Sequence, residues 1–359
     1  MEANMQSARK IGCAFTLLLI LCSTVQAGPL RDRFMERMQN RQDTSANSSE
    51  ANDEAGSELS DMGGGNAQSC ADWSKKVKRL GRLLGDKAAG PPPDQANIAY
   101  GPSALEKLDV FYAKTNTQNS AQSAPMIVMV HGGGWCVGDK SMSGVVANKV
   151  ARWTPKGFVF VSVNYPMVAE GANALAQADY IAKAVAYIQS HAAQWGGDGK
   201  KVILMGHSAG AHLISLVNAD ARIRDANRMQ PVLGAISLDA GAIDVVKQMP
   251  NVYSFLKVRY QEAFGNTEAE WIAASPYHQL RAGAAPWLGV CSTQRKDKPC
   301  DQAQAYAEKS TAMGIAAQTL PQAKGHGGLN KDLGLENDYT RQVERFMAGL
   351  NAEVARLLQ

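Results

Sequence analysis

The sequence predicts an α/β fold, with a doubly wound, mainly parallel sheet and helices on both faces. From about residue 97 onward, short runs rich in Val, Ile and Leu alternate with stretches of helical periodicity such as 174–194. Continuous apolar runs are typical of strands buried on both faces, and their alternation with helices is typical of a parallel sheet. We predict six strands, at residues 108–112, 126–130, 159–163, 202–205, 233–238 and 287–291.

Composition permits a large core and excludes some function classes. The chain has 359 residues, of which 45% are hydrophobic and 19% charged, so it is not a wholly disordered or fibrous protein. Its net charge of +4 is small and dispersed. Such a balance does not predict a nucleic acid or an anionic membrane as the main partner, and a small or neutral substrate is expected instead.

The first 95 residues predict an export signal followed by a linker. Residues 1–27 combine Arg9 and Lys10 with an apolar run at 11–21 and a small-residue cleavage site at 25–27, as in a secretory signal peptide. The alternatives are a retained membrane anchor and a lipoprotein attached through Cys22. No later run approaches the ~18 apolar residues of a spanning helix, so we expect an exported mature chain, periplasmic or extracellular, without a membrane span.

Three further segments complete the predicted organisation. Residues 28–72 are rich in Ser, Asn, Gly and acids and predict a flexible, low-complexity lead-in. Residues 73–95 predict an amphipathic helix and a proline-rich linker, the helix packing on the following domain or, alternatively, lying on a membrane surface. Residues 96–359 form the predicted catalytic domain.

Four cysteines remain after the predicted signal is removed: Cys70, Cys136, Cys291 and Cys300. In an oxidising compartment they permit three connectivities. Cys291 and Cys300 are close in sequence around a predicted strand-to-helix loop, which favours a local disulfide between them and leaves Cys70 to pair with Cys136. The alternative is that one or both pairs stay reduced.

A serine nucleophile is predicted at Ser208. The strand at 202–205 runs directly into Gly206-His207-Ser208-Ala209-Gly210, and a helical stretch follows. In this strand–turn–helix context the G-x-S-x-G motif presents a serine hydroxyl above the sheet, and the glycines avoid collisions at the sharp turn.

A second motif, residues 131–135 (His-Gly-Gly-Gly-Trp), follows the strand at 126–130. Consecutive glycines allow backbone N–H groups to approach an oxygen that becomes negative during acyl transfer. We therefore predict an oxyanion hole formed by the N–H groups of Gly133, Gly134 and Ala209. Trp135 is a candidate substrate-binding residue, although core packing is the commoner role of a tryptophan.

His326 is the predicted base, because it lies in a glycine-flanked loop beyond the last predicted strand and completes the chain order Ser, acid, His. The acid is expected just after the strand at 287–291, where it would orient the imidazole. Asp297 and Asp301 both lie there. Asp297 is favoured because Asp301, three residues before Gln304, fits a helix N-cap.

These motifs resemble those of the α/β-hydrolase superfamily, and within it carboxylesterases of the hormone-sensitive-lipase and arylformamidase-like type. The resemblance covers about residues 100–350 and rests on the residues at 131–135, 206–213, 196–198, 108–110 and 275–276. Two local departures are Tyr165-Pro166, where such proteins usually have Tyr-Arg, and an acid loop with Ser292 and Pro299-Cys300 in place of Gly and Val-Pro.

The resemblance implies an α/β-hydrolase fold and a serine hydrolase that uses no metal and no organic cofactor. The expected substrate is a small-molecule or polymer-borne carboxylic ester, with a short acyl chain. Two alternatives stay open: an arylformamidase or amidase that uses the same residues, and a catalytically silent hydrolase fold kept for binding.

Overall fold

The structure is a computed structural model that describes residues 69–84, 90–114 and 123–359. The predicted signal peptide and residues 28–68 of the predicted lead-in lie outside these residues.

A single eight-stranded sheet organises the described part of the chain, with the strand order β1-β2-β4-β3-β5-β6-β7-β8. β2 is antiparallel to both β1 and β4, and the remaining neighbours are parallel. The strands are β1 Gln95–Ala99, β2 Lys107–Phe111, β3 Ala124–Val130, β4 Val159–Val163, β5 Gly197–His207, β6 Gly234–Leu238, β7 Trp287–Ser292 and β8 Ala317–Gln322.

Helices cover both faces of this sheet, and several short ones fill the connection between β6 and β7. The α-helices of the described residues are α1 Cys70–Leu84, α2 Ser143–Trp153, α3 Ala174–His191, α4 Ala209–Ala219, α5 Ala221–Ala226, α6 Val245–Gln248, α7 Lys257–Phe264, α8 Glu268–Ala273, α9 Pro276–Gln279, α10 Pro299–Ala312, α11 His326–Lys331, α12 Asp338–Ala348 and α13 Ala352–Leu358.

The architecture confirms the predicted α/β-hydrolase fold. All six predicted strands are present, and the two that the sequence did not predict are the edge strands. β1 is mostly exposed and β8 is at most half-buried along its length, so neither carries the apolar run that marks the central strands. β8 also contains Pro321, a residue that strand patterns place only at sheet edges.

Alternating side chains of the central strands divide the core into two layers. Along β3, Met126, Val128 and Val130 belong to the cluster on one face, while Ile127 and Met129 belong to the cluster on the other. All five side chains are fully buried. This burial on both faces explains why the sequence pattern of β3 is continuous rather than alternating.

Both predicted disulfides are present, Cys70–Cys136 and Cys291–Cys300. The first joins the start of α1 to Cys136, the residue after the motif at 131–135, which we call the glycine loop. α1 begins three residues earlier than predicted and packs on α7, where the Arg259 guanidinium lies 3.5 Å from the centre of the Trp73 ring. The amphipathic helix is thus part of the folded domain.

Among the described helices, none combines the length and apolar character needed to cross a bilayer.

Candidate active site

The candidate site lies at the carboxyl edge of the sheet, where β3, β5 and β6 end side by side. Val130 of β3 pairs with Gly206 of β5, and His207 of β5 pairs with Leu238 of β6. Residues that directly follow these paired positions are therefore neighbours in space. This register places the glycine loop, the Ser208 turn and the residue after β6 at one place.

Ser208 occupies the turn between β5 and α4 in a conformation with φ 55° and ψ −117°. A positive φ is unfavourable for a residue with a Cβ and persists only where the surroundings impose it. The flanking glycines make the turn possible. A Cβ on Gly206 would lie 2.5 Å from Gly210 O, and one on Gly210 would overlap the carbonyl oxygen of Val130.

The glycine loop after β3 lies directly against the serine. A Cβ built on Gly132 would be 2.9 Å from Ser208 Cβ, so only a glycine fits at this approach. Gly133 and Gly134 both have positive φ values, 120° and 59°. Neither N–H group donates a hydrogen bond within the described part of the chain.

Ala209 contributes a third N–H group to the same region. It is the first residue of α4, whose earliest backbone N–H groups have no acceptor inside the helix. The intrahelical ladder begins only with His212 N–H, which donates to Ser208 O at 3.1 Å. The loop after β3 thus places Gly132 against Ser208, with Gly133 and Gly134 directly after it, and Ala209 directly follows Ser208 in the chain.

His326, the first residue of α11, is brought to the same edge. Its ring centre lies 4.6 Å from that of His207, the residue before Ser208, and the His207 Nε2–H donates to His326 O at 3.0 Å. The Ser208 hydroxyl has no hydrogen-bond partner among the described residues. Catalytic hydrogen bonds are often long or poorly aligned in the free enzyme and tighten when the substrate binds.

The acid that contacts His326 is Asp239, which the sequence analysis did not consider. His326 Nδ1–H donates to Asp239 Oδ2 at 2.6 Å. Asp239 directly follows β6 and is fully buried, with Oδ1 accepting the N–H of Ser292 at 2.8 Å. A carboxylate after a buried strand, between the serine and the histidine in chain order, was a signal present in the sequence.

Neither predicted acid contacts His326. The Asp297 carboxylate accepts the Nε–H and Nη2–H groups of Arg295, at 3.0 and 2.5 Å. Asp301 lies exposed in the first turn of α10 and is not its N-cap, since the helix already begins at Pro299. After β7, Arg295 is therefore the residue that lies beside His326, and its partner Asp297 does not contact the histidine.

Trp135 is also placed differently from the prediction. Its side chain is packed beneath α7, T-shaped against Tyr260 and Phe264, with ring centres 5.0 and 4.6 Å apart. Its Nε1–H donates to His212 Nδ1 at 3.2 Å, and the residue is only 4% exposed. This packing anchors the glycine loop, and we do not retain Trp135 as a substrate-binding residue.

Tyr165, which precedes Pro166, packs against the start of the glycine loop. Its ring stacks on that of His131 with centres 4.6 Å apart, and its hydroxyl donates to His131 O at 2.9 Å. The tyrosine of the Tyr165-Pro166 pair therefore supports the start of the glycine loop, and this contact does not require the arginine that usually follows.

His326 is more exposed than the other histidines near the site, and burial changes the pKa of those other rings. It lowers the pKa of His131, lowers that of His212 to about 4 and, together with the charge of His326, lowers that of His207 well below its ordinary range. These rings are neutral at pH 7. The His326 side chain is 41% exposed and remains accessible to a substrate.

The charge of Asp239 is stabilised despite its burial. Burial alone would raise the pKa of this carboxyl, but the hydrogen bond from His326 and the charge of Arg295 outweigh it and hold the pKa well below its ordinary range. Asp239 is consequently a carboxylate that can orient His326 and stabilise its cation. Among the described residues, no group of His, Cys, Asp and Glu side chains is arranged to hold a metal ion.

The model of the BD-FAE family matches residues 108–294. This range is more than half of the chain and includes the glycine loop, Ser208 and Asp239. The chain belongs to the BD-FAE family. The match ends before His326, so the base is supported by the geometry above and not by the family match.

Curated relatives of this BD-FAE protein include two hydrolases. It is 25% identical over 243 residues to esterase LipC of Mycobacterium tuberculosis, covering 64% of this chain and 59% of the relative. It is 30% identical over 132 residues to kynurenine formamidase of Salmo salar, covering 37% of this chain and 41% of the relative. The chain thus spans about half the length of these curated relatives.

Solved structures support the fold of this BD-FAE protein. Esterase 2 of Thermogutta terrifontis, in a form phosphonylated by sarin, superposes with a TM-score of 0.58 at 20% identity, covering 73% of this chain and 97% of that one. At this identity the likeness establishes the α/β-hydrolase fold.

Proposed function

We propose that the protein is a serine carboxylesterase in which Ser208 is the nucleophile, His326 the base and Asp239 the acid that orients it. One observation carries the proposal: the 2.6 Å hydrogen bond between His326 and Asp239 lies beside the strained Ser208 turn, with the His326 ring packed on His207. A nucleophile, a base and an orienting carboxylate at one edge form the arrangement needed for acyl transfer.

The first half of the reaction forms an acyl-enzyme. His326 Nε2 takes the Ser208 proton while Oγ bonds to the carbonyl carbon, and the carbonyl electron pair moves onto the oxygen. The N–H groups of Gly133, Gly134 and Ala209 stabilise that oxyanion. His326 then gives its proton to the leaving alcohol oxygen as the C–O bond breaks.

The second half returns the enzyme to its starting state. Water gives a proton to His326 and its oxygen attacks the acyl carbon, forming a second oxyanion in the same position. The Ser208 ester bond breaks, Oγ recovers the proton from His326, and the acid leaves. Throughout, the Nδ1–H of His326 stays on Asp239, which balances the charge of the imidazolium.

The proposed substrate is an ester of a short carboxylic acid with a small or polymer-borne alcohol. A formamide is the second candidate, because one relative is a kynurenine formamidase that is 30% identical over 132 residues. Both substrates would use the same serine, base and oxyanion hole. Rates on a formanilide and on a matched phenyl formate distinguish the two.

Export is part of the proposal. It is supported by the predicted signal at residues 1–27 and by the disulfides Cys70–Cys136 and Cys291–Cys300, since disulfides persist in oxidising compartments. Cell fractionation of a tagged chain tests this part separately from the chemistry.

Hydrolysis of p-nitrophenyl acetate and butyrate tests the proposed activity. The wild-type protein should turn over at least one of them, and Ser208→Ala should reduce kcat by roughly 10^4- to 10^6-fold. Ser310→Ala is a matched control, because Ser310 is a buried serine on α10 whose hydroxyl donates to Tyr306 O at 2.8 Å. Unchanged activity in Ser208→Ala would reject the proposal.

A further inference from the structure

Arg295 links the predicted acid to the acid that the structure brings to His326. Its Nη1–H groups donate to the backbone oxygen and to Oδ2 of Asp239, both at 3.0 Å. Its Nε–H and Nη2–H groups hold both oxygens of Asp297. The four side chains Asp297, Arg295, Asp239 and His326 therefore form one connected network, in which Arg295 Nη1 also lies 3.3 Å from His326 Nδ1.

The surroundings leave this guanidinium little freedom. The Arg295 side chain is 20% exposed, and the side chains of Asp297 and Asp239 are 9% and 0% exposed. A Cβ on Gly241 would lie 2.6 Å from Arg295 Nη2, so the backbone after β6 forms one wall of its position. A planar, five-donor group held in this way fixes the Asp239 carboxylate in one orientation.

The formal charges of these four side chains indicate what Arg295 and Asp297 do. Asp239 and Asp297 carry −2 together and Arg295 carries +1, so a net charge of −1 faces the neutral His326 ring. When His326 takes the serine proton, the four groups sum to zero. Without Arg295 the ring would face −2, and without Asp297 it would face zero.

Other titratable groups near His326 do not duplicate this effect. Burial keeps His207 neutral by lowering its pKa and keeps Tyr260 neutral by raising its pKa to about 12. Burial also raises the pKa of Tyr339. On neighbouring elements, Lys324 and Asp332 are paired at 2.6 Å, and Lys149, whose pKa burial lowers to about 7, donates from Nζ to two carbonyl oxygens.

We propose that Arg295 and Asp297 are positioning residues that set the proton affinity of His326, with Arg295 fixing Asp239 and Asp297 offsetting part of the charge of Arg295. This inference rests on the proposed function for its catalytic meaning. Its physical content is independent of that function, because the proton affinity of a ring can be measured without turnover.

The test is the titration midpoint of the His326 ring, followed by NMR in protein with 13C-labelled histidine and assigned from the signal lost in His326→Gln. Arg295→Met should raise the midpoint by about one pH unit, because two uncompensated carboxylates favour the imidazolium. Asp297→Asn should lower it by about half a unit, because more of the Arg295 charge then acts on the ring.

Two controls separate charge from folding. Asp301→Asn removes an exposed carboxylate from the first turn of α10, directly after the Arg295 loop, and should leave the midpoint unchanged. Arg295→Lys keeps the charge but not the fork, so the midpoint should stay near the wild-type value while kcat for an ester falls and KM changes little. These two variants also cover the case in which Arg295→Met does not fold.

Opposite shifts in Arg295→Met and Asp297→Asn support the proposal, as does the Asp297→Asn shift alone if Arg295→Met does not fold. A midpoint that stays unchanged in Asp297→Asn overturns it, as does a shift of equal size in Asp301→Asn. Loss of the proposed function gives a different result: no Ser208-dependent hydrolysis, with the NMR shifts still present.

Discussion

Asp239 and Asp297 carry the same carboxylate and follow neighbouring strands, yet only Asp239 contacts His326. β6 and β7 are hydrogen-bonded neighbours, so the loops after them begin only about 4.8 Å apart. The sequence cannot decide which of two such loops reaches the histidine. The difference lies in Arg295, which occupies the side of Asp239 away from Ser292 and pairs with Asp297.

We predict that Asp239→Asn lowers kcat far more than Asp297→Asn does. An amide at position 239 no longer fixes the His326 tautomer or stabilises its cation, so kcat should fall roughly 10^2- to 10^4-fold. Asp297→Asn should reduce kcat by less than about tenfold, because the Asp239–His326 contact remains. Steady-state ester hydrolysis by the two variants measures this, and a larger loss in Asp297→Asn would contradict the assignment.

The sequence predicted those parts of the proposed site whose backbone geometry is determined by a few consecutive residues. Ser208 and the glycines of the proposed oxyanion hole lie in turns that directly follow strands, where close approach or a positive φ favours glycine. His326 followed from chain order. Asp239 and Arg295 depend on how two loops pack against each other, which no spacing rule describes.

The position of His326 depends on a short helix, α11, that a buried lysine holds in place. α11 has six residues, too few to be stable alone. Lys149 of α2, which is 1% exposed, donates from Nζ to Asn330 O near the end of α11 at 2.6 Å and to Gly144 O at 3.0 Å. This contact fixes the helix that carries the base.

Lys149 also makes stability depend on pH. Burial lowers its pKa to about 7, against about 10.4 in an unfolded chain. Between these values the unfolded chain binds a proton that the folded chain does not, so stability should rise with pH from about 7 to about 10, by up to ~1.4 kcal/mol per unit.

Urea unfolding of the wild type and of Lys149→Met at several pH values measures this contribution. The wild type should gain stability relative to the variant as the pH rises through that window. Parallel stability curves for the two proteins would show that Lys149 is not responsible.

For the whole molecule, the sequence predicted the sheet best where its strands are central. The buried strands carry continuous apolar runs, whereas β1 and β8 lie at the edges and their exposed positions erase that pattern. The cysteine pairing was recovered by exclusion once the local pair was chosen. Closing the 66-residue span between Cys70 and Cys136 stabilises the fold by about 4 kcal/mol in a chain-entropy description.

That disulfide also connects α1 with the edge of the sheet at which the proposed active site lies. Cys136 directly follows the tryptophan of the glycine loop, and the N–H of Cys70 donates to Glu262 of α7 at 2.7 Å. The helix α1, the loop that forms the proposed oxyanion hole and the helix over Trp135 are therefore held together.

The central claim is that Ser208 is a nucleophile activated by His326 and Asp239, and covalent labelling tests it most directly. The folded protein is treated with a fluorophosphonate, and the modified peptide is mapped by mass spectrometry. The account predicts one adduct, on Ser208, that is absent in Ser208→Ala and forms much more slowly in His326→Gln and Asp239→Asn. An unmodified Ser208 in the folded wild-type protein would contradict it, as would labelling of His326→Gln and Asp239→Asn at the wild-type rate.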